Sequence, residues 1–330
     1  MESTRRKLID LLSRYPDEFV SGQVLSEQLN ITRSAIWKHM KELEKDGYVI
    51  QSVPRKGYRI LKNPDKLSAN TIQWGLSTNW LGSRVIFEKT TDSTQVIAHH
   101  LGREGAQHGT VVVADEQVKG RGRLNRTWYS KKGDGIWMSL ILRPEVEPQQ
   151  APQLTLLSAV AIVEALEEIT DLAFYIKWPN DIYVHDHKIA GILTEMQAEQ
   201  DQINYIVQGI GLNVNQNRED FNMISDNEPT SLKIETGMAW NRRPLIQVIL
   251  QQIERLYERY LKEGFLPIKT MWEERAYRLG QPIMVSSKNQ NWQGIFKGID
   301  QDGALIVTDQ KGRDHVLYSA EINWRSGGHE

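Results

Sequence analysis

A basic segment rich in glycine lies at residues 119–128, which read KGRGRLNRTW. Its three arginines carry planar guanidinium groups that match the oxygens of a phosphate or carboxylate, and its two glycines let the backbone approach a ligand closely. An apolar run typical of a strand, TVVVA, precedes it at residues 110–114. This segment, named here the glycine–arginine loop, therefore predicts a site for an anionic ligand.

The composition is that of an ordinary folded protein that lacks cysteine. The 330 residues, 40% hydrophobic and 25% charged, suffice for two or three domains. The chain has no cysteine, which excludes disulfides, thiolate catalysis and cysteine-bound zinc. The N-terminus is charged and no apolar run is long enough to cross a bilayer, so we expect a cytoplasmic protein.

The net charge of −2 is spread unevenly along the chain. Residues 1–66 carry a net charge of +4, and the remainder carries −6. A basic head on an acidic body suits contact between the head and a polyanion. A solvated charged surface explains the charge alone equally well.

The first sixty residues have the pattern of a winged helix domain. Apolar periodicity predicts helices at residues 4–14, at 22–30, and from the N-cap Thr32 to Gly47. The turn between the second and third helices is as short as in a helix-turn-helix motif. Two strand-like runs then flank a basic PRKG turn at residues 54–57, which predicts a hairpin.

The third of these helices carries polar and basic residues away from its apolar stripe. They lie near its N-terminal end, where a recognition helix meets base edges. We expect DNA contacts from this end and from the hairpin tip, by Thr32, Arg33, Ser34, Trp37, Lys38, Arg55 and Lys56. The alternative is a small helical domain for protein contacts, with Trp37 in its core.

The rest of the chain predicts a mixed domain followed by a small barrel. After a linker at residues 62–66, strand-like runs at 85–87, 110–114, 137–142 and 203–210 alternate with helices. The clearest helix spans 154–169, and a helix at 243–260 closes the domain. Short alternating runs from 281 to 325 predict an antiparallel β-barrel. We therefore expect an α+β multidomain chain with domains at 1–63, 64–275 and 276–330.

Common nucleotide- and metal-binding patterns are missing or weak. No Gly-Lys dipeptide occurs, which excludes a P-loop, and GIG at residues 209–211 lacks the third glycine of a Rossmann fingerprint. His185 and His187 have no convincing third ligand, so we expect no metal site there. KGDG at residues 132–135 matches the motif of covalent nucleotidyltransferases such as DNA ligases, but it reads equally well as a turn before a strand.

Five motifs that occur in order closely resemble those of the biotin–protein ligases. They are TDST at 91–94, GRGR at 120–123 with Arg126 and Trp128, KWPND at 177–181, KIAGILTE at 188–195 and GIGLN at 209–213. With its N-terminal winged helix, the chain resembles the bifunctional class that also represses the biotin operon. The resemblance covers essentially the whole chain and implies a ligase domain of the biotin/lipoate type, followed by a small SH3-like β-barrel.

The resemblance implies a two-step reaction. The biotin carboxylate attacks the α-phosphate of ATP, with Mg²⁺, and gives biotinyl-5′-AMP and pyrophosphate; a lysine of the biotin carboxyl carrier protein then accepts the biotin. Such a site must neutralise the negative charge that builds up in the transition state. Correctly positioned cations suffice for this, so the reaction needs no side-chain nucleophile. The resemblance also implies operator DNA as a partner, biotinyl-5′-AMP as corepressor and a homodimer promoted by ligand.

The resemblance also implies the residues of the site. Lys188 is expected to be the main electrophilic residue, with Arg121 and Arg123, while Asp181 orients or deprotonates the incoming lysine. Contacts to biotin are implied for Ser93, Thr94, Gln95, Gln117, Gly120, Arg121, Gly122, Arg123, Trp128, Lys188, Gly191 and Gly209. Contacts to ATP are implied for Arg123, Arg126, Asn180, Lys188 and Asn213.

The glycine–arginine loop departs from the family at one position. Asn125 stands where the family commonly has glycine; asparagine tolerates the left-handed backbone region better than most residues, so the turn is expected to survive. Like charges and glycines predict a loop that is mobile without ligand. We expect biotinyl-5′-AMP to order it and thereby to couple ligand binding to dimer formation and operator binding.

Two other functions fit the same motifs. A biotin-sensing repressor without catalytic activity would use the same pocket. A lipoate–protein ligase shares the architecture and the reaction. A pocket for the bicyclic ureido ring separates biotin from lipoate, and the GRGR sequence favours biotin.

Overall fold

The computed structural model describes residues 4–13, 15, 18–45, 47–62, 67–199, 202–222, 228–287 and 290–324. The chain forms two compact units, Met1–Ser77 and Thr78–Glu330, here called the N-terminal and C-terminal units. Apart from Lys62, the predicted linker at 62–66 lies outside the described residues. Within the described ranges, no helix is both long and apolar enough to span a membrane.

The N-terminal unit has the winged helix pattern that the sequence predicts. Its elements are α1 (Thr4–Ser13), α2 (Gly22–Leu29), α3 (Arg33–Lys45), the antiparallel pair β1 (Val49–Val53) and β2 (Gly57–Lys62), and α4 (Ala69–Gln73). Helix α2 begins at Ser21, whose hydroxyl accepts from the N–H of Val24, and ends at Asn30 with φ 52°. The Thr32 hydroxyl accepts from the N–H of Ala35 at 3.2 Å, which confirms the expected cap of α3.

One hydrophobic core holds this unit together. The apolar stripe of α3, Ile36, Met40 and Leu43, is buried against apolar residues of α1 and α2. In contrast, Trp37 is 55% exposed, so the alternative that places it in the core is wrong. Spacing at i, i+4 and i+7 buries one face of the helix and leaves Trp37 to the side of that face.

The C-terminal unit is built on a seven-stranded mixed sheet. Its first elements are β3 (Val85–Glu88), α5 (Thr94–Arg103), β4 (Thr110–Ala114), β5 (Gly135–Leu142), α6 (Ala151–Ile169), β6 (Tyr175–Lys177), β7 (Asp181–Val184), β8 (His187–Glu199), β9 (Gln202–Asn213), α7 (Leu232–Thr236), α8 (Arg242–Glu263) and α9 (Leu266–Glu274). The strand order is β3-β4-β5-β9-β8-β7-β6. Only β3 and β4 run parallel to each other; the other neighbours are antiparallel.

Helices cover both faces of this sheet. On one face, the Gln95 side chain of α5 accepts a hydrogen bond from the hydroxyl of Ser139 in β5. Ser139 is the strand partner of Gly209 in β9. On the other face, Ser158 of α6 bonds to Gln208, the neighbour of Gly209. Successive strand residues point to opposite faces, so α5 and α6 lie on opposite sides of the sheet. This coverage explains why β4 and β5 read as largely apolar runs.

The chain ends in a five-stranded antiparallel sheet. Its strands are β10 (Pro282–Ser287), β11 (Gln290–Ile299), β12 (Leu305–Asp309), β13 (Asp314–Leu317) and β14 (Glu321–Asn323), in the order β13-β12-β11-β10-β14. The first four match the predicted runs. The expectation that the helix at 243–260 closes the preceding domain is wrong, because α9 follows it and buries Ile268 and Trp272. Two buried residues one turn apart were too weak a pattern to identify this helix.

Candidate active site

A cavity of about 640 Å³ opens in the C-terminal unit, bounded by the central sheet, the glycine–arginine loop and β14. The site residues singled out from the sequence that line it are Ser93, Thr94, Gln95, Gln117, Arg121, Gly122, Arg123, Arg126, Trp128, Asn180, Asp181, Lys188, Gly191, Gly209 and Asn213. Gly120 lies outside the lining. A Cβ atom there would lie 2.2 Å from the Trp128 carbonyl oxygen, so this glycine lets the two arms of the loop approach each other.

A buried polar network forms one end of the cavity. Ser93 caps α5, and its hydroxyl accepts from the N–H of Gln95 at 3.3 Å. The N–H and hydroxyl of Thr94 donate to Oε1 of Gln117 at 2.8 and 3.1 Å, and Gln117 Nε2 donates to Ser130 at 2.8 Å. Directional donors and acceptors on buried amides and hydroxyls suit a neutral polar ring system.

Glycines form the floor in the middle of the cavity. Gly191 of β8 pairs with Gly211 of β9, and the Trp128 indole lies against both. A Cβ atom would lie 2.5 Å from Trp128 Nε1 at Gly211 and 3.0 Å from its ring at Gly191. The buried Trp128 Nε1 has no hydrogen-bond partner within the described ranges. The GIG sequence thus provides close packing beneath an aromatic ring.

An ion pair lies beside this floor. Lys188 Nζ is 2.7 Å from Asp181 Oδ2, and the two side chains are 18% and 17% exposed. The same ammonium lies 5.3 Å from the centroid of the Trp128 ring. The second carboxylate oxygen, Asp181 Oδ1, is buried and has no partner among the residues that the structure describes. The pair therefore offers both a cation and an unused acceptor to a ligand.

The glycine–arginine loop supplies three more cations. Arg123 donates to Asn180 Oδ1 at 3.0 Å; burial lowers the pKa of Arg123, while Asp181 opposes that shift. Arg126 lies 2.5 Å from Glu321 of β14. The left-handed residue of the loop is Leu124, with φ 55°.

Several lining residues had no role in the sequence-based prediction. They include Lys177 of the KWPND motif, Ser139 of β5, Phe221, and residues 320–323 around β14. Lys177 pairs across the β6–β7 hairpin with Asp181, so strand alternation could have placed the two on one face. No sequence signal could have placed β14 here, because its position depends on how the C-terminal sheet packs.

The predicted DNA-contacting residues are exposed in the N-terminal unit. Thr32, Arg33, Ser34, Trp37 and Lys38 lie at the N-terminal end of α3, and Arg55 and Lys56 lie in the hairpin turn. The Arg33 guanidinium donates to Gln23 of α2. These side chains are thus available to an external partner.

In the described part of the chain, no group of three or more His, Asp or Glu side chains has an arrangement that could hold a metal ion. His185 lies 2.7 Å from Glu235 of α7, and His187 Nδ1 lies 3.2 Å from the Glu228 carbonyl oxygen. The two histidines therefore contact different acidic residues.

Comparison with known proteins identifies the family. Sequence profiles match residues 84–213 (Biotin/lipoate A/B protein ligase family), 4–59 (HTH domain) and 279–323 (Biotin protein ligase C terminal domain). The bifunctional ligase/repressor BirA of Bacillus spizizenii is 46% identical over 323 residues, which cover 98% of this chain and 99% of that protein. BirA of Escherichia coli is 31% identical and covers 97% of both chains.

A solved structure agrees with these relatives. The biotin protein ligase from Aquifex aeolicus, in complex with biotin and ATP, matches with a TM-score of 0.62 and 30% identity, and covers 73% of this chain and 98% of its own. Family profiles, full-length relatives and a structural neighbour thus agree on both the fold and the type of protein. The chain belongs to the biotin–protein ligase family, in its branch of bifunctional ligase/repressors.

Proposed function

We propose that this chain joins biotin to ATP in the cavity and then transfers the biotin to a lysine of the biotin carboxyl carrier protein. One observation carries the proposal: the Thr94–Gln117 polar network and the Lys188–Asp181 ion pair lie in one cavity, on either side of a glycine floor. The arrangement suits a neutral ring at one end and a carboxylate at the other. Family membership supports the same reaction.

The polar end of the cavity is proposed to hold the biotin ring. Ser93, Thr94 and Gln117 offer hydroxyl and amide groups to the ureido group, while Gln95 and Gly209 form the wall behind it. Trp128, Gly122 and Gly191 border the path of the valeryl chain. Because Gly209 leaves only 2.6 Å between an added Cβ and Gln95 Oε1, this wall has no room for a larger residue.

The charged end is proposed to perform adenylation. A carboxylate oxygen of biotin attacks the α-phosphorus of ATP, the bond to the β-phosphate oxygen breaks, and pyrophosphate leaves with the electron pair. Lys188, Arg121 and Arg123 neutralise the developing negative charge as preorganised cations. Arg126, Asn180 and Asn213 hold the nucleotide. Mg²⁺ would enter on the ATP phosphates and would neutralise part of their charge.

Asp181 is proposed to act in the transfer step. Its Oδ1 is buried without a described partner, so it can accept a proton from the ammonium of the carrier lysine. The freed amine attacks the acyl carbon of biotinyl-5′-AMP, and AMP leaves. The Lys188 ammonium, already paired with the other oxygen, stabilises the carboxylate until the amine arrives.

The N-terminal unit is proposed to bind operator DNA, with biotinyl-5′-AMP as corepressor. The exposed residues of α3 would meet base edges, and Arg55 and Lys56 would meet phosphates. We propose a cytoplasmic homodimer, promoted by the ligand, because a two-fold operator needs two such units. We propose domain limits of 1–63 for the DNA-binding part, 64–275 for the ligase part and 276–330 for the C-terminal domain.

The proposal is tested by supplying the purified protein with ATP, Mg²⁺ and biotin, with lipoate in a parallel sample. Pyrophosphate release and the mass of the acyl-adenylate are measured. Biotinyl-5′-AMP is expected from biotin, and lipoate is expected to remain unreacted. Biotin binding without an adenylate would instead identify a biotin-sensing repressor, and reaction with lipoate would identify a lipoate ligase.

A further inference from the structure

A row of paired residues crosses the floor of the cavity and ends at Lys177. Gly211 of β9 pairs with Gly191 of β8, Gly191 with Asp181 of β7, and Asp181 with Lys177 of β6. Paired residues of neighbouring strands lie on the same face of the sheet, and strands are spaced by about 4.8 Å. Lys177 therefore lies about 10 Å beyond the strand of Gly191, in the direction that leads away from the polar end.

Lys177 differs from the neighbouring cations in what it contacts. Lys188 lies against Asp181, and Arg126 lies against Glu321. Lys177 is half-buried and forms no salt bridge with a carboxylate of the described ranges; its polar partner is the Tyr183 hydroxyl at 3.4 Å. Burial raises the pKa of Tyr183, so this partner is a neutral phenol.

Aromatic rings hold the Lys177 side chain in place. Its Nζ lies 5.3 Å from the centroid of the Tyr183 ring and 5.5 Å from that of Trp324. Tyr277 stacks on Tyr183 and meets Trp324 edge-on, both at 5.0 Å, and its hydroxyl donates to Asp186 at 2.6 Å. Ring faces attract a cation without neutralising it, so the charge of Lys177 stays available to an anion.

The position of Lys177 corresponds to the end of the ATP triphosphate that lies farthest from biotin. If the ring of biotin lies at Thr94 and Gln117 and its carboxylate at Lys188, the α-phosphate lies beside Lys188, and the remaining phosphates extend away from the biotin. Along the row described above, the next cation in that direction is Lys177. A cation kept partly buried without a carboxylate partner is costly unless a ligand supplies the negative charge.

We infer that Lys177 binds the β- and γ-phosphates of ATP and the pyrophosphate that leaves, and that it acts in adenylation but not in transfer. The inference rests on the proposed function. As the bond between the α-phosphorus and the bridging oxygen breaks, negative charge grows on the pyrophosphate, and the Lys177 ammonium stabilises it. The transfer step contains no pyrophosphate, so it does not need this charge.

The test uses the full chain with Lys177→Gln, a neutral polar variant, and Lys177→Arg, which keeps the charge. Lys132→Ala removes one exposed positive charge elsewhere in the same unit and serves as the control. Three quantities are measured: the rate of biotinyl-5′-AMP formation against ATP concentration, its reversal by inorganic pyrophosphate, and transfer of biotin from supplied biotinyl-5′-AMP to the carrier protein.

Lys177→Gln is expected to raise the half-saturating concentrations of ATP and pyrophosphate by about 10- to 100-fold, the effect of one lost charge-assisted contact. Transfer from supplied biotinyl-5′-AMP should change by less than about twofold, while Lys177→Arg restores most of the pyrophosphate affinity. An unchanged pyrophosphate affinity, or an equal loss in transfer, would overturn the inference. If the unaltered chain formed no biotinyl-5′-AMP, the proposed function itself would be wrong.

Discussion

Lys188 is the residue on which the proposed adenylation chemistry depends most. It is little exposed, paired with Asp181 and close to the Trp128 ring, so its ammonium is held in one place before the substrates arrive. Lys188→Ala is expected to slow formation of biotinyl-5′-AMP by about 100- to 1000-fold, comparable to removal of one preorganised electrostatic donor. Pyrophosphate release in a single turnover measures this.

Two comparisons show whether Lys188→Ala slows the adenylation step itself or disrupts the protein as a whole. Lys132→Ala should leave the rate unchanged, because Lys132 lies on an exposed turn. When biotinyl-5′-AMP is supplied at saturation, binding of the N-terminal unit to DNA should persist in Lys188→Ala. Undiminished adenylate formation in Lys188→Ala would mean that the main electrophilic residue lies elsewhere in the cavity.

Gly211 gives a second prediction, which rests on space. A Cβ atom there would lie 2.5 Å from Trp128 Nε1, whereas one at Gly191 would lie 3.0 Å from the same ring. Gly211→Ala should therefore displace the indole and weaken binding of biotinyl-5′-AMP, by about 10-fold or more, since overpacking costs about 1–3 kcal/mol. Isothermal titration of both variants is expected to show the smaller loss for Gly191→Ala. Equal and small effects would show that the Trp128 ring moves aside freely.

The individual residues differ in how far the sequence could identify them. Thr94, Lys188 and Asn213 belong to motifs, and the structure brings all three to one cavity. Lys177 belongs to a motif as well, but what distinguishes it is that it has no carboxylate partner among the residues that the structure describes, which only the packed structure reveals. Leu124, not Asn125, takes the left-handed conformation, because that choice depends on how the loop closes between its two arms.

Among the elements, the glycine–arginine loop connects the cavity to β14. The Arg126–Glu321 pair links this loop to the C-terminal sheet, and both side chains are about half exposed. Exposed pairs of this kind contribute about 0–1 kcal/mol, so this pair does little to hold the loop in place. Trypsin is expected to cut after its arginines in the apo protein, and biotinyl-5′-AMP is expected to protect them.

Glu321→Gln tests the role of this link. It should speed the cleavage of the apo loop by up to about fivefold, which corresponds to about 1 kcal/mol. Cleavage of the liganded loop should remain slow, because the ligand phosphate then holds the arginines. Equal cleavage with and without biotinyl-5′-AMP would contradict an ordering of the loop by ligand.

The connection between α5 and β4 is expected to make stability depend on pH. The His108 ring packs 4.3 Å from Trp80 and 5.4 Å from Tyr257, and its Nδ1 accepts from the N–H of Arg143 at 2.9 Å. Burial, and then the charge of Arg143, lowers the pKa of His108 below 6.5. Below pH 6.5 the unfolded chain binds a proton that the folded chain does not, so the stabilisation present above that pH is lost on acidification.

The expected slope is at most about 1.4 kcal/mol per pH unit, the value for one proton. It should appear in urea unfolding of the C-terminal unit between neutral pH and pH 5. His108→Gln should be less stable at neutral pH, because ring packing is lost, but its stability should fall less steeply with acid. An identical slope in both proteins would assign the pH dependence to other groups.

Element prediction succeeded where the apolar pattern was strong. Helix α3 and strands β4 and β5 follow from their periodicity or from largely apolar runs. Strand β14 has three residues, of which only Ile322 is buried, so it left no pattern to detect. This short strand nevertheless borders the cavity, which shows that an element's contribution to a site is unrelated to the strength of its sequence signal.

At the scale of the whole molecule, the chain is a ligase with one additional unit. The Aquifex aeolicus ligase covers 73% of this chain but 98% of its own length, so a protein of this family needs no more than about three quarters of the present chain. The N-terminal unit has a separate hydrophobic core and exposes residues of recognition-helix type. Its charges should therefore affect DNA binding and leave the ligase reaction unchanged.

Lys56 gives the sharpest form of this expectation. It lies exposed in the hairpin turn, where a phosphate contact would release a counterion. Lys56→Ala should weaken binding to all DNA sequences alike and reduce the slope of log affinity against log salt concentration by about one. Trp37→Ala, in α3, should instead weaken specific binding more than non-specific binding, because base edges carry the sequence information. Both variants should form biotinyl-5′-AMP at the unaltered rate. If Lys56→Ala kept the full salt dependence, the hairpin would not touch DNA, and the basic charge of the N-terminal unit would serve only as a solvated surface.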